Sequence, residues 1–367
     1  MPLPKRSILI TGASTPWGRK LASILEDDPQ FDPIIGIDFA EPEIPFKRLR
    51  FFRLAPPHPL IAECIRTAQI DTVCHMLFLD TYRYNEDVFQ LNVMGTMDLL
   101  AACVAGQVER VILVSDSKVY GADYTHPNFI SEETVLNGSF THQYLNDRLE
   151  IERIVKNFAV RHRRPRIAVL RVANVLCRSV DTPVGRYFDS AVVPTVLGYD
   201  PLLQFTHETD LLGAVARTAA SDIDGIVNIS GEGVLPLSQV LRIGRKIPLP
   251  LPDPFMHAGS RLLKSARVLE STPLEIGFLK YNCLGDSTRM KTDLGFVPAF
   301  DSRKTVEDFF AYRNARRSRR NLAGYPLDPI ALWELQGWLK ARPHVVRDTM
   351  NQIREFNIEL EQHHVSS

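Results

Sequence analysis

The stretch SILITGASTPWGRKLASIL, Ser7 to Leu25, carries the residues best suited to meet a phosphate. An apolar, strand-like run turns at Thr11-Gly12-Ala13 and continues into a segment of helical spacing. Gly12 and Gly18 have the offsets of a glycine-rich strand-to-helix turn. Such a turn binds pyrophosphate through free N–H groups at the positive end of the helix, with glycines letting the backbone come close. Thr15 stands where the middle glycine is expected, and any side chain there holds the backbone away. Thr15-Pro16 is also a good helix start, with Thr15 as N-cap and Pro16 at the first helical position. Its hydroxyl either donates to a phosphate or fills the space as a cap.

Asp38 ends the run IIGID, about 20 residues beyond the helix start, where a carboxylate accepts hydrogen bonds from an adenosine ribose. An aspartate there repels a 2′-phosphate, so the cofactor expected is NAD rather than NADP. A capping aspartate after a strand is the alternative.

The composition narrows the rest. The chain has 367 residues, 45% apolar and 23% charged, with a formal net charge of +0. This is an ordinary globular balance with no electrostatic case for a nucleic-acid partner, so a small-molecule substrate is expected. Cys64, Cys74, Cys103, Cys177 and Cys283 form no C-x-x-C pair and no His-Glu-x-x-His helix occurs, so no metal site is expected. The apolar run after MPLPKR is too short for a signal peptide, and no uninterrupted apolar run of about 18 residues occurs, so the expected location is cytoplasmic, with no transmembrane segment.

The elements that must position these residues read from periodicity. Runs at Ser7–Thr11, Pro33–Asp38, Arg50–Arg53, Thr72–Leu77, Arg110–Ser115 and Arg166–Arg171 are expected as strands. Trp17–Leu25, Pro59–Ala68, Tyr84–Ala105 and Tyr144–Val160 are expected as helices between them. Alternation of this kind makes an α/β, Rossmann-like doubly wound parallel sheet, whose ligands bind beyond the carboxyl ends of the strands.

Residues 1–175 are thus expected as the NAD-binding core and 176–310 as a smaller substrate lobe with returning core elements. The run IPLPLPDP, Ile247–Pro254, is expected as a loop; a polyproline recognition segment is the alternative. Residues 311–367 are expected as a basic helical C-terminal extension. Arg313, Arg316, Arg317, Arg319 and Arg320 cluster there, ahead of two amphipathic segments, PIALWELQGWLKA and VVRDTMNQIREFNIEL. The cluster reads either as a solvated helix surface or as a peripheral membrane or phosphate contact.

Several segments carry a resemblance in the right order: TGASTPWG, DTVCHMLF (Asp71–Phe78), NVMGTMDLLAAC (Asn92–Cys103), VILVSDSKVYG (Val111–Gly121), YLNDRLEIE (Tyr144–Glu152), LRVANVL (Leu170–Leu176), QFTHETDLLGAV (Gln204–Val215) and GIVNISGEGVLPLSQV (Gly225–Val240). Together they resemble the extended short-chain dehydrogenase/reductases, the NAD-dependent epimerase/dehydratase family; Ala311–Ser367 lies outside the resemblance. The resemblance implies an oxidoreductase that oxidises a hydroxyl of a nucleotide sugar or similar metabolite with bound NAD. It implies pairing as a homodimer through the helix at Tyr144–Val160. Its cofactor contacts fall on Gly12, Ser14, Thr15, Gly18, Asp38, His75 and Asn92.

The family's catalytic group is a tyrosine, a lysine four residues on, and a Ser or Thr before VYG. The lysine lowers the tyrosine's pKa so that the phenolate takes the hydroxyl proton. Tyr144 matches the tyrosine, but Arg148 stands at the lysine position and Asp116 at the Ser/Thr position, flanked by Ser115 and Ser117. Asp116 and Arg148 are expected to pair across the site. Leu54 and Ala55 replace an acidic residue after the third strand, and Leu77 and Phe78 replace small residues after the fourth. His207, Asp210 and Glu152 are assigned to structure. These departures leave a second reading: a cofactor-binding protein that no longer catalyses and works as a regulatory or interaction module.

Overall fold

A computed structural model describes residues 5–136, 138, 140–178, 180–253 and 274–322. Seven strands form its central parallel sheet: β1 Arg6–Thr11, β2 Phe31–Asp38, β3 Arg50–Arg53, β4 Thr72–His75, β5 Arg110–Asp116, β6 Arg166–Val172 and β7 Gly225–Ile229, in the order β7-β6-β5-β4-β1-β2-β3. All six expected strands are present. The order reverses beside β1, so the helices that follow the paired strands β1 and β4 leave on opposite faces of the sheet, the point where doubly wound sheets open a crevice.

The long helices are α1 Pro16–Glu26, α2 Leu60–Thr67, α3 Glu86–Ala105, α4 Gln143–Arg161, α5 Glu208–Ala220 and α6 Ser302–Leu322. Because strand side chains alternate, Ile8, Ile10, Cys74 and Ile112 join a core with Leu21 and Leu25 of α1 and Leu211 and Val215 of α5. Leu9, Val73, Val111 and Leu113 point the other way, onto Ile61 of α2, Leu99 of α3 and Val155 of α4. Both faces of the sheet are therefore covered, which is why its strands read as continuous apolar runs. α3 is long and apolar enough to cross a membrane by length and composition. Here Val93, Leu99, Leu100 and Cys103 are buried in the second core, and the turn at Gln90–Met94, which carries buried Asn92, is π-helical.

A third core packs Phe188, Phe205, Val240 and Leu241 with Val306, Phe309 and Phe310 from α6. IPLPL in this region is a strand rather than a loop: Ile247–Leu251 pairs parallel with Val192–Val196. Ile247 N–H donates to the Ala191 carbonyl, so positions 247, 249 and 251 face the partner, and Pro248 and Pro250 put their missing donors on the open edge. The chain divides into two compact units, Met1–Tyr312 and Arg313–Ser367. The two amphipathic segments expected near the C-terminus lie outside the described residues.

The joint between β1 and α1 is the tightest crossing in the fold. Gly12 has φ +69°, and a Cβ there would lie 2.9 Å from the Leu77 backbone. A Cβ on Gly18 would lie 2.0 Å from the Gly12 carbonyl oxygen, which no rotamer change relieves. Gly198 has φ +86° but nothing within 4 Å of a Cβ. Gly18→Ala should therefore cost about 3 kcal/mol or more by overpacking, and Gly198→Ala only about 1–2 kcal/mol from its dihedral. Urea unfolding of the two variants checks the order; equal losses would contradict it.

Candidate cofactor and active site

The β1–α1 turn is closed on itself. Thr15 is the N-cap of α1: its hydroxyl donates to the Gly12 carbonyl (2.7 Å) and accepts from Gly18 N–H (3.0 Å). The hydroxyl proton is thus committed within the turn and is not aimed at a phosphate. Ser14 N–H donates to Asp38 Oδ2 (2.9 Å), and the Ser14 hydroxyl donates to the Ala40 carbonyl (2.7 Å). Phe39 N–H donates to Asp38 Oδ1 (2.7 Å). Asp38 is only 1% exposed, and burial pushes its pKa up against these amide hydrogen bonds. The aspartate expected to meet a ribose therefore also ties the second strand's end to the turn.

A cavity of about 210 Å³ opens beyond the carboxyl ends of β1, β4 and β5, walled by Thr15, His75, Phe78, Ser115, Arg148 and Glu152 among others. Four candidate residues drawn from separate segments, Thr15, His75, Ser115 and Arg148, meet there. Gly12, Ser14, Gly18, Asp38, Asn92, Asp116, Ser117 and Tyr144 do not line it.

Arg148 is held on three sides. Its guanidinium stacks 3.8 Å from the centroid of the Phe78 ring, donates to the Val114 carbonyl (3.1 Å) and sits 3.5 Å from Asp80 Oδ1. Its Nε–H is buried without a partner. Asp116 caps the short 3₁₀ turn Ser117–Tyr120, accepting from Lys118 N–H (2.9 Å), with Lys118 Nζ at 3.4 Å. The expected Asp116–Arg148 pair is therefore absent: each found a nearer partner, Asp116 within its own turn and Arg148 on the loop after β4.

That loop is braced by Asn92, which accepts from Leu79 N–H (3.0 Å) and donates to the Leu79 carbonyl (2.9 Å) and Asp147 (3.0 Å). The loop in turn covers the start of α4, where Tyr144 N–H donates to the Thr81 carbonyl (2.9 Å). Tyr144 is 2% exposed, edge-on to Tyr82 at 6.0 Å. Burial, then the charges of Asp116 and Asp80, push its pKa well above the usual phenol value; Arg148 opposes them. Ser115 donates to Glu152, which is held by Arg171 (Nε–Oε2 2.9 Å) in a fully buried pair. The Ser117 carbonyl lies 3.4 Å from Cys283 Sγ.

The chain matches the model of the NAD dependent epimerase/dehydratase family over residues 8–198. It belongs to that family. Among relatives, an uncharacterised protein of Mycobacterium tuberculosis (strain H37Rv) is 34% identical over 316 residues, covering 83% of this chain and 84% of the relative. Solved structures share the fold. MoeE5, in complex with UDP-glucose and NAD, has a TM-score of 0.64 at 22% identity over 86% of this chain and all of its own. The UDP-glucose 4-epimerase of Thermotoga maritima, with UDP-glucose, has 0.63 at 15% over 84% of this chain and 99% of its own. The dTDP-glucose 4,6-dehydratase of Bacillus anthracis, with NAD, has 0.64 at 14% over 85% and 98%.

Sequence reading missed Phe78 as the platform for Arg148, and Asp80 and Lys118 as the partners of the two substituted positions. Only Asp116-x-Lys118 left a local signal, the capping of a short turn two residues on.

His75 has both ring nitrogens engaged within the protein. Thr11 Oγ1 already accepts from Met76 and Leu77 N–H, so its proton goes to His75 Nδ1 (2.6 Å). Thr96 donates to the Asn92 carbonyl, so its oxygen accepts from His75 Nε2–H (3.0 Å). The ring is neutral, and burial lowers its pKa to about 4. Since the unfolded ring protonates near pH 6.5, stability is full above that value and falls as pH drops toward 4, where the folded ring also takes a proton. The His75 share is about 2 kcal/mol between pH 7 and pH 5. Urea unfolding at both pH values should show His75→Gln losing that much less; an unchanged difference would contradict a neutral, buried His75.

Proposed function

We propose that this chain binds NAD along the carboxyl ends of β1, β2, β4 and β5 and acts as an oxidoreductase on a nucleotide sugar or similar hydroxylated metabolite. The observation that carries this reading is the cavity at the switch point, which joins the glycine turn to Arg148 and leaves the buried Arg148 Nε–H for a ligand acceptor. Gly12 and Gly18 keep the turn low, Asp38 stands at the ribose end, and Ser115 and Arg148 border the nicotinamide end. Bound there, NAD supplies the hydride acceptor. Tyr144 takes the proton of the substrate hydroxyl, and Arg148 is its electrostatic support. Relatives of the same fold crystallised with UDP-glucose or NAD support the substrate class.

A second reading, an NAD-binding protein that no longer catalyses, is favoured by one observation: Tyr144 is buried, and its nearest carboxylates disfavour the phenolate. The two part on turnover. With a panel of UDP- and dTDP-sugars, the oxidoreductase should show rates rising about tenfold per pH unit between pH 7 and 9, because the raised phenol must ionise. Tyr144→Phe should then lose about 100-fold or more in kcat/KM. Turnover unchanged in Tyr144→Phe would remove this tyrosine from the chemistry, and NADH titration without any fluorescence change would defeat both readings.

A further inference from the structure

The backbone donors of the β1–α1 turn can be followed one by one. Ala13 N–H goes to the Ile37 carbonyl (3.3 Å) and Thr15 N–H to the Gly12 carbonyl (3.0 Å). Ser14 N–H goes to Asp38 and Gly18 N–H to the Thr15 hydroxyl, while Pro16 has no N–H at all. Arg19 N–H already lies within the helical ladder, on the Thr15 carbonyl (2.9 Å). From Ala13 to Gly18, Trp17 N–H is the backbone donor with no described partner. Both Asp38 oxygens are likewise engaged by amides, and Lys20, the next lysine on α1, is held by Glu208 (2.7 Å).

A glycine turn grips a pyrophosphate because several amides at a helix start converge on it, each as a charge-assisted hydrogen bond. Here Thr15 and Pro16 have taken two of those donors, one by a side-chain cap and one by ring closure. The cap also stabilises α1 in the absence of any ligand. We infer that the turn holds a dinucleotide pyrophosphate by the Trp17 amide alone, and that Thr15 and Pro16 make NAD an exchanging cosubstrate instead of a resident group. This rests on the NAD-binding reading above and specifies how that site works. A cofactor that leaves between turnovers suits net oxidation of a hydroxyl, with the hydride carried away on NADH and the proton released. It does not suit return of the hydride to the same substrate.

The test is the NAD dissociation constant by calorimetry for the parent, Thr15→Gly, Pro16→Ala and the double variant, together with the NAD released on denaturing each as purified. Glycine is nearly as good an N-cap as threonine, so Thr15→Gly keeps α1 while freeing Gly18 N–H, and melting curves verify folding. Thr15→Ser keeps the hydroxyl and should bind as the parent does. Each freed amide should tighten NAD about tenfold or more, and the double variant should carry NAD through purification while the parent does not. A parent that binds NAD with no tightening in the variants, or that purifies with stoichiometric NAD, overturns the inference and leaves the NAD-binding reading standing. Absence of binding in both the parent and the folded double variant overturns the NAD-binding reading itself.

Discussion

One side-chain hydroxyl closes the turn at the ligand end of this fold. By donating to the Gly12 carbonyl and accepting from Gly18 N–H, Thr15 locks the crossing of β1 under α1. That crossing tolerates no side chain at Gly18 and sets the Gly12 turn against the Leu77 backbone. Leu77 lies in the loop that carries Phe78 and Asp80, the two side chains against which Arg148 is held. A cap worth about 1 kcal/mol to a helix thus shapes one wall of the cavity while withdrawing one donor, Gly18 N–H, from it.

Across the cavity the constraint is electrostatic. Asp116 and Asp80 lie close enough to Tyr144 to hold its proton on, and each has a cation of its own, Lys118 and Arg148. Asp116 meets Lys118 within its own turn, and Asp80 meets Arg148 from the loop after β4. The outcome is a guanidinium stacked on Phe78 that donates to the Val114 carbonyl. A planar, delocalised cation accepts that setting where a compact ammonium would not.

The sheet was legible because both its faces are buried: Leu9, Val73, Val111 and their neighbours leave uninterrupted apolar runs that no other placement satisfies. Gly12, Gly18 and Thr15 were legible as a turn and cap because their constraints are local. Pro248 and Pro250 misled, since two prolines fit a strand only when an edge position is known in advance. The Arg148–Asp80 and Tyr144–Thr81 contacts join residues more than sixty positions apart through an irregular loop, and no periodicity encodes such a meeting. His75 and Asn92 were picked out by matching segments, while their hydrogen bonds to Thr11, Thr96 and Leu79 emerge only in three dimensions.

On the inference drawn above, the Thr15 cap leaves Trp17 N–H as the amide that meets a bound pyrophosphate. Selective ¹⁵N labelling reduces the spectrum to the amides of 3 Trp and 20 Gly; Trp17→Phe assigns Trp17, and ¹³C-carbonyl labelling of tryptophan picks out Gly18, the one glycine that follows a tryptophan. On titration with NAD, the Trp17 amide should shift strongly while Gly18, still bonded to the Thr15 hydroxyl, moves little. A Gly18 shift as large as that of Trp17 would mean that the cap opens onto the ligand, and would contradict the account.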